Sequence, residues 1–435
     1  MPPRRMGNHL LRLLALLLTA TCAASAQTPP VRGFRLASLK YTGLSRYTEK
    51  QVDAAIGLHL GDSVNTAQLE AASDRLSASG AFDSVSFHYT THSNELSAEF
   101  NVSETQKVLL CVFDNFVWFS AQQLDQTLRT RVPFYTGVSP VGGTTSKEIV
   151  TVLEQLLQTN GVIGTVEEIA SSERPGAPVT ALLFEVKGVA MPIRSVTFPG
   201  ASVIPEAELV SASSQLIGQD FSASNVSVFG SSGLLPLYKR RGYLQARFEK
   251  PEAKISGNSA DVAGPDISVV LPVQEGPGYY WEKAEWYGNR QIPKEDLDQL
   301  LGMKPREVAN QDKIDAGIGA VKRAYETKGF IDATVESKII LDDGTKLVRY
   351  DVAVAEGTQY HMAQVHFSGL PDAAANELAK KWQLKPGDIY DATYVSNFVK
   401  TVAMPAALKI KVKNVAITSQ RDKQTASVQL YIVFH

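Results

Sequence analysis

Apolar residues recur along this chain in one fixed arrangement. They stand seven, four and two positions before a turn residue: Leu36, Leu39, Tyr41 before Gly43; Ile193, Val196, Phe198 before Gly200; Trp281, Ala284, Trp286 before Gly288; Met362, Val365, Phe367 before Gly369. Val108, Cys111 and Phe113 before Asn115 make a looser fifth copy, with Asn expected to tolerate the left-handed turn that glycine favours. Nine residues past each turn comes another apolar residue: Val52, Leu124, Leu209, Leu297, Leu378. Helix-start signals lie just before it. Thr48-Glu-Lys-Gln51 and Ser120-Ala-Gln-Gln123 read as capping boxes, and Pro205, Pro293 and Pro371 suit a first helical turn. A strand and then a helix are predicted five times.

A second helix follows, predicted from Asn65-Thr66, from Ser222 after Gly218, and from Asp391 after Gly387. It ends in a glycine and a strand. Tyr238-Lys-Arg-Arg-Gly-Tyr-Leu-Gln-Ala246 and Tyr325-Glu-Thr-Lys-Gly-Phe-Ile-Asp-Ala333 carry the clearest form, with weaker copies at Leu76–Ser84 and Leu157–Thr165. Gly80, Gly161, Gly242 and Gly329, spaced by 81, 81 and 87 residues, are expected to be left-handed helix-end residues. Asp342-Asp343-Gly344 reads as a hairpin turn. Closing strands alternate, as in Leu96/Ala98/Phe100/Val102 and Val348/Tyr350/Val352/Val354.

Three departures stand out. The second unit carries an insertion, Pro133 to Thr145. Gly230-Ser-Ser-Gly233 is expected to weaken or break its helix. Met404-Pro405-Ala406-Ala407 replaces the helix-ending glycine of the fifth unit, where a shorter helix or a different turn is expected.

The expected fold is therefore α+β: five tandem βααββ units, each a three-stranded mixed sheet with two helices on one face, in an elongated array. The units are drawn at 34–104, 105–188, 189–277, 278–357 and 358–435. Residues 1–26 read as a secretory signal peptide: Arg4 and Arg5, a leucine-rich run from Leu10 to Leu18, then Ala24-Ser25-Ala26. That apolar run is too short to span a bilayer as a helix. Loss of the leader's three arginines leaves 40 basic against 45 acidic residues, with no basic block to suggest nucleic acid. Only Cys111 then remains, so no internal disulfide is possible.

On these motifs, most specifically Tyr238–Ala246 and Tyr325–Ala333, the unit resembles a POTRA domain. Five copies behind a leader resemble the periplasmic arm of BamA-type outer-membrane protein assembly factors. Those factors continue into a β-barrel. No further series of alternating strands follows the fifth unit, so a barrel is not expected here. The resemblance implies a non-enzymatic scaffold that binds unfolded outer-membrane proteins, envelope assembly proteins or a separate β-barrel by adding a strand to an open sheet edge. The second strand is the implied edge, near 82–90, 162–169, 243–250 and 330–338, with Tyr243, Gln245, Arg247, Phe330 and Asp332 as candidate partner-binding residues. An adaptor in a division or secretion complex, or a shortened assembly factor, is the alternative.

Catalytic and cofactor motifs are lacking, and no cofactor or metal is expected. His88 and His92 could share a face, yet no third ligand lies near them in sequence. His361 and His366 read as structural or exposed, and Cys111 as a buried, inert thiol. Tyr279-Tyr280-Trp281 is expected to pack the third unit on the fourth. Lys239-Arg240-Arg241 either complements a helix dipole or meets an anionic partner.

Overall fold

The computed structural model describes residues 33–172, 174, 176–258, 263–409 and 412–435; the predicted leader lies outside the described residues. The chain divides into two compact bodies. One holds residues up to Leu110 with Gln126–Val152, the other Cys111–Asp125 with Leu153–His435.

The fold is mixed α+β, built of small sheets and helices in a repeating order. The first repeat runs β1 (Phe34–Thr42), α1 (Glu49–Ile56), β2 (Ser63–Val64), α2 (Thr66–Ala78), β3 (Phe82–His92), β4 (Glu95–Glu104). The second runs β5 (Val108–Phe113), α3 (Ala121–Arg131), β6 (Val138–Pro140), α4 (Thr145–Thr159), β7 (Thr165–Ser171), β8 (Ala181–Lys187). The third comprises β9 (Ile193–Thr197), α5 (Glu206–Ala212), α6 (Ala223–Phe229), α7 (Leu235–Arg240), β10 (Arg247–Phe248), β11 (Glu252–Asn258), β12 (Pro265–Val270) and β13 (Val273–Gln274). The fourth has β14 (Tyr280–Tyr287), α8 (Lys294–Leu301), α9 (Gln311–Thr327), β15 (Thr334–Asp342) and β16 (Leu347–Ala355). The fifth has β17 (His361–Ser368), α10 (Asp372–Lys381), α11 (Ala392–Phe398), α12 (Met404–Lys409), β18 (Val415–Asp422) and β19 (Ser427–Phe434).

Each repeat's main sheet puts its closing strand inside: β2-β1-β4-β3, β6-β5-β8-β7, β11-β12-β9, β14-β16-β15 and β17-β19-β18, with β10-β13 a separate two-stranded pair in the third repeat. The first strand runs parallel to the closing strand in the first, third, fourth and fifth repeats, and the second strand antiparallel. A parallel pair needs a long crossover, and the two helices supply it. The first two repeats add a short fourth strand from the loop between their helices. In the other three, single bridges take its place: Pro192 with Asp220, Tyr280 with Val308, His361 with Ile389.

The spacing of seven and four has a structural cause. Side chains three apart on a regular strand face opposite sides. Here a bulge skips one residue on the first strand, at Ala37, Arg194, Glu282 and Ala363, six before each turn glycine. The extra residue brings Trp281 and Ala284 onto the same buried face, and likewise Ile193 and Val196.

The turn glycine then lies against the closing strand. A Cβ on Gly43 would sit 1.9 Å from the Val102 carbonyl oxygen, and one on Gly369 2.0 Å from that of Phe434. Asn115 departs from the sequence expectation, because its φ is not positive. Its side-chain amide bonds to the closing strand instead.

Local capping largely follows sequence. Thr48 and Gln51 cap reciprocally, as do Ser120 and Gln123. Pro205, Pro293 and Pro371 occupy the position just before their helices. The helix-end glycines are left-handed, with φ of 79°, 75°, 84° and 85° at Gly80, Gly161, Gly242 and Gly329. After three of them the helix closes with a bond back over five residues, from the amides of Val162, Tyr243 and Phe330 to the carbonyls of Leu157, Tyr238 and Tyr325.

The Gly230–Gly233 run does not break its helix. It lies in a π turn, Gly230–Leu234, joining α6 to α7. A second π turn, Val399–Ala403, joins α11 to α12, so the fifth repeat's helix is not shortened at Pro405. Pro236 and Pro405 each stand two residues beyond a π turn. Proline lacks the amide donor and crowds the carbonyl four residues back; a wider turn removes that conflict.

The insertion Pro133–Thr145 serves the first repeat's core. Phe134 is 2% exposed and packs edge-on against Tyr47 at 5.0 Å and Phe82 at 5.3 Å. The Pro133 carbonyl accepts from Gln51 Nε2 at 2.8 Å.

Candidate strand-docking edges

A central closing strand leaves two outer strands per sheet. The first strand is partly covered by β2, β6 or a bridge, whereas the second has no further partner among the described residues. Five second-strand edges are therefore candidates, and they differ in quality.

The third repeat's edge is interrupted. Gly242–Gln245 forms a turn, and the strand begins only at Arg247. Pro251 then separates β10 from β11, and Pro272 separates β12 from β13. The Glu249 amide donates to the Pro272 carbonyl at 2.9 Å where the ladder changes hands. A bulge at Ser256 interrupts what is left. Proline cannot continue a ladder, so this edge is blunted. The second repeat's edge is guarded differently: Glu168 stands opposite Phe184, on the side that faces the core. A charge on that face of the edge strand discourages pairing there.

The fourth and fifth edges are intact. β15 pairs with β16 through nine consecutive residues without a shift, and β18 with β19 through eight. In the first repeat β3 is eleven residues long, with one irregularity at Asp83. Beside these edges the core is incompletely covered. Ile339 lies opposite buried Tyr350 yet is 42% exposed; Ile417 lies opposite buried Ile432 and is 44% exposed. Tyr89, opposite buried Ala98, is similarly exposed. Each is an apolar side chain next to an unpaired backbone edge.

The residues singled out from sequence fall elsewhere. Tyr243 and Gln245 lie in the turn after Gly242, where Tyr243 packs over Gly278. Arg247 is on the short β10, opposite Gln274. Phe330 is buried and Asp332 sits in a turn before β15, so neither is an edge-strand residue. The Gly-aromatic motif is read out by the helix-closing bond, which holds these residues in a turn and delays the strand by about four positions. The exposed Ile339 and Ile417 carry no local sequence signal, since each looks like any core residue of an alternating strand.

Other candidate groups have structural partners. His88 Nε2 lies 3.3 Å from Glu99 Oε2, and among the described residues no cluster of three or more His, Cys, Asp or Glu could hold a metal. Burial first, and the charge of Glu168 second, push the Cys111 thiol up to about 12. Arg240 pairs with Asp312 of the next repeat at 2.5 Å, and Arg241 with Glu208 at 2.9 Å. Tyr279 donates its amide to the Gly242 carbonyl at 2.9 Å, tying the fourth repeat to the third. No helix among the described residues is long and apolar enough to cross a membrane.

Comparison with known proteins gives a consistent picture. Residues 279–357 match the POTRA family model, described as a surface antigen variable number repeat. A putative outer membrane protein assembly factor of Treponema pallidum is 22% identical over 207 residues, covering 45% of this chain and 25% of that protein. Outer membrane protein assembly factor BamA of Neisseria meningitidis serogroup B is 20% identical over 133 residues, covering 30% and 16%. The chain thus spans only a quarter or less of the length of these curated relatives. Among solved structures, POTRA3-5 of Haemophilus influenzae BamA matches with a TM-score of 0.43 and 18% identity, over 56% of this chain and 96% of that one. The family model thus matches the fourth repeat, and the curated relatives are outer-membrane protein assembly factors.

Proposed function

We propose that this chain is a periplasmic scaffold of POTRA-like repeats in outer-membrane protein assembly, exported by its N-terminal leader and working at the outer membrane. It holds extended segments of unfolded outer-membrane proteins by adding them as strands to β15 and β18. It binds rather than catalyses. The observation that carries this reading is the uninterrupted edge of β15 beside the exposed Ile339. Backbone pairing supplies affinity without regard to sequence, and the exposed Ile339 favours segments that bring an apolar residue beside it, as the alternating strands of barrels do. The likeness to outer-membrane assembly factors supports the setting.

A peptide from an outer-membrane β-strand, titrated against wild type, Ser337→Ala, Ser337→Pro and Lys338→Pro, tests it. Successive amides on an antiparallel strand point alternately into and out of the ladder. One proline variant should therefore keep the wild-type circular dichroism spectrum and melting temperature yet lose at least tenfold in affinity. The alanine variant should bind normally. A folded proline variant that binds like wild type overturns docking at β15.

A further inference from the structure

The joints between the third and fourth repeats and between the fourth and fifth share one plan. A helix-end glycine carbonyl, Gly242 or Gly329, accepts the amide of a linker tyrosine, Tyr279 or Tyr360, at 2.9 Å in both. The tyrosine carbonyl accepts in turn from its own repeat's inter-helix loop, from Ala309 at 3.0 Å or Tyr390 at 2.9 Å. A Cβ on either glycine would come within 2.7 Å of the tyrosine carbonyl oxygen, so both joints are close backbone contacts.

The side chains then differ. In the earlier joint the Tyr279 hydroxyl bonds to Asp343, inside its own repeat, and the ion pair across the joint is the separate Arg240–Asp312 contact at 2.5 Å. The position three after the helix-end glycine is the uncharged Gln245, and the residue of β15 opposite Val348 is Leu341. In the later joint the corresponding positions are Asp332 and, on β18 opposite Val428, Arg421. Asp332 accepts the Tyr360 hydroxyl at 2.9 Å on one carboxylate oxygen and the Arg421 guanidinium on the other. One carboxylate of the fourth repeat thus grips two side chains of the fifth.

We propose that Asp332, Tyr360 and Arg421 form an ionic latch that sets the angle of the fifth repeat on the fourth, and that salt opens this joint. Tyr360 is buried, so its bond is sheltered, but the Asp332 and Arg421 side chains are 28% and 45% exposed. A pair that open to water is screened by added salt, and its loss shifts a population without unfolding either repeat. Arg421 is also the penultimate residue of β18, so the latch grips an open edge strand directly. The inference is independent of what docks there.

Spin-label distance measurements on the full chain, with Cys22 and Cys111 replaced by serine, test it. One label pair, at Lys322 and Asn376, spans the later joint. A second, at Glu206 and Lys322, spans the earlier one as control. In wild type the later distance distribution should be narrow at 50 mM salt and broaden at 1 M. Asp332→Asn and Arg421→Gln should each raise the broadened population roughly two- to fivefold at low salt. The double variant should go no further than either single, and salt should no longer act on it. Tyr360→Phe separates the hydroxyl's share. At 50 mM salt the control distribution should be the same in wild type and in every variant, which also reports that the repeats remain folded. An unchanged later distribution in Asp332→Asn and Arg421→Gln overturns the latch, as does equal broadening of both joints in those variants at 50 mM salt.

Discussion

Asn115 grips Val186 by both backbone groups: its Nδ2 donates to the Val186 carbonyl at 3.0 Å, and the Val186 amide donates to its Oδ1 at 2.7 Å. At the matching turn of other repeats a glycine lets the backbones touch directly. The second repeat reaches the same closure with a side chain that mimics a peptide group. Asn115 is 7% exposed, so Asn115→Ala would leave two buried backbone groups without partners. The expected cost is about 2–3 kcal/mol, read as a lower denaturation midpoint at unchanged slope. A loss under about 0.5 kcal/mol would show that water replaces the amide.

Arg306 holds a φ of 66° where the equivalent loop residues are Gly61, Gly137, Gly218 and Gly387. A left-handed conformation costs a side-chain-bearing residue roughly 1–2 kcal/mol, partly offset by glycine's greater freedom when unfolded. Arg306→Gly should raise stability by about 0.5 kcal/mol, and Gly387→Arg should lower it by a similar amount. Thermal melts of both variants check the pair; a destabilised Arg306→Gly would mean that the arginine makes a needed contact.

Phe134 fills the first repeat's core from an insertion that belongs to the second. Phe134→Ala should cost about 3–5 kcal/mol. Hydrogen exchange should locate the loss at Tyr47 and Phe82, its ring partners, and leave β15 and β16 protected. Uniform loss across the chain would contradict a local anchor.

Closing glutamates clasp the turn after the first strand. Burial raises the Glu104 carboxyl, but the amides of Ser45, Arg46 and Tyr47 and the Ser45 hydroxyl outweigh it, and the net pKa falls below its ordinary 4.5. Glu275 is lowered by the same balance, against Ser202 and Val203. The unfolded chain therefore binds more protons near that pH. The stabilisation is complete above about pH 4.5 and is lost as pH falls through the depressed folded values. Denaturation midpoints measured from pH 6 to pH 3 should fall less steeply in Glu104→Gln/Glu275→Gln than in wild type. Parallel slopes would remove the clasp from the acid response.

Ile339→Lys tests the exposed side chain separately from the ladder. The side chain is already 42% exposed, so the fold should lose under about 1 kcal/mol. Strand-peptide affinity should drop about three- to tenfold, since a docked strand would cover the rest of that apolar surface. Unchanged affinity would confine recognition to the backbone.

The sequence by itself determined what local chemistry decides. Helix starts at Thr48 and Ser120, left-handed glycines after the second helices, and the alternating closing strands all follow from the conformational limits of the residues concerned. Even the first-strand bulge is written in the interval between Leu36 and Leu39, because only an extra residue puts both on one face. Tertiary structure decided which edge is open. Pro251 and Pro272 lie twenty-one positions apart, and only the strand register brings both prolines to the same break in the ladder. Asn115 with Val186, Phe134 with Tyr47, and Asp332 with Arg421 are likewise contacts across 71, 87 and 89 positions. Such pairs leave no periodic trace, because each is set by the folded backbone's path and not by the conformational preferences of neighbouring residues.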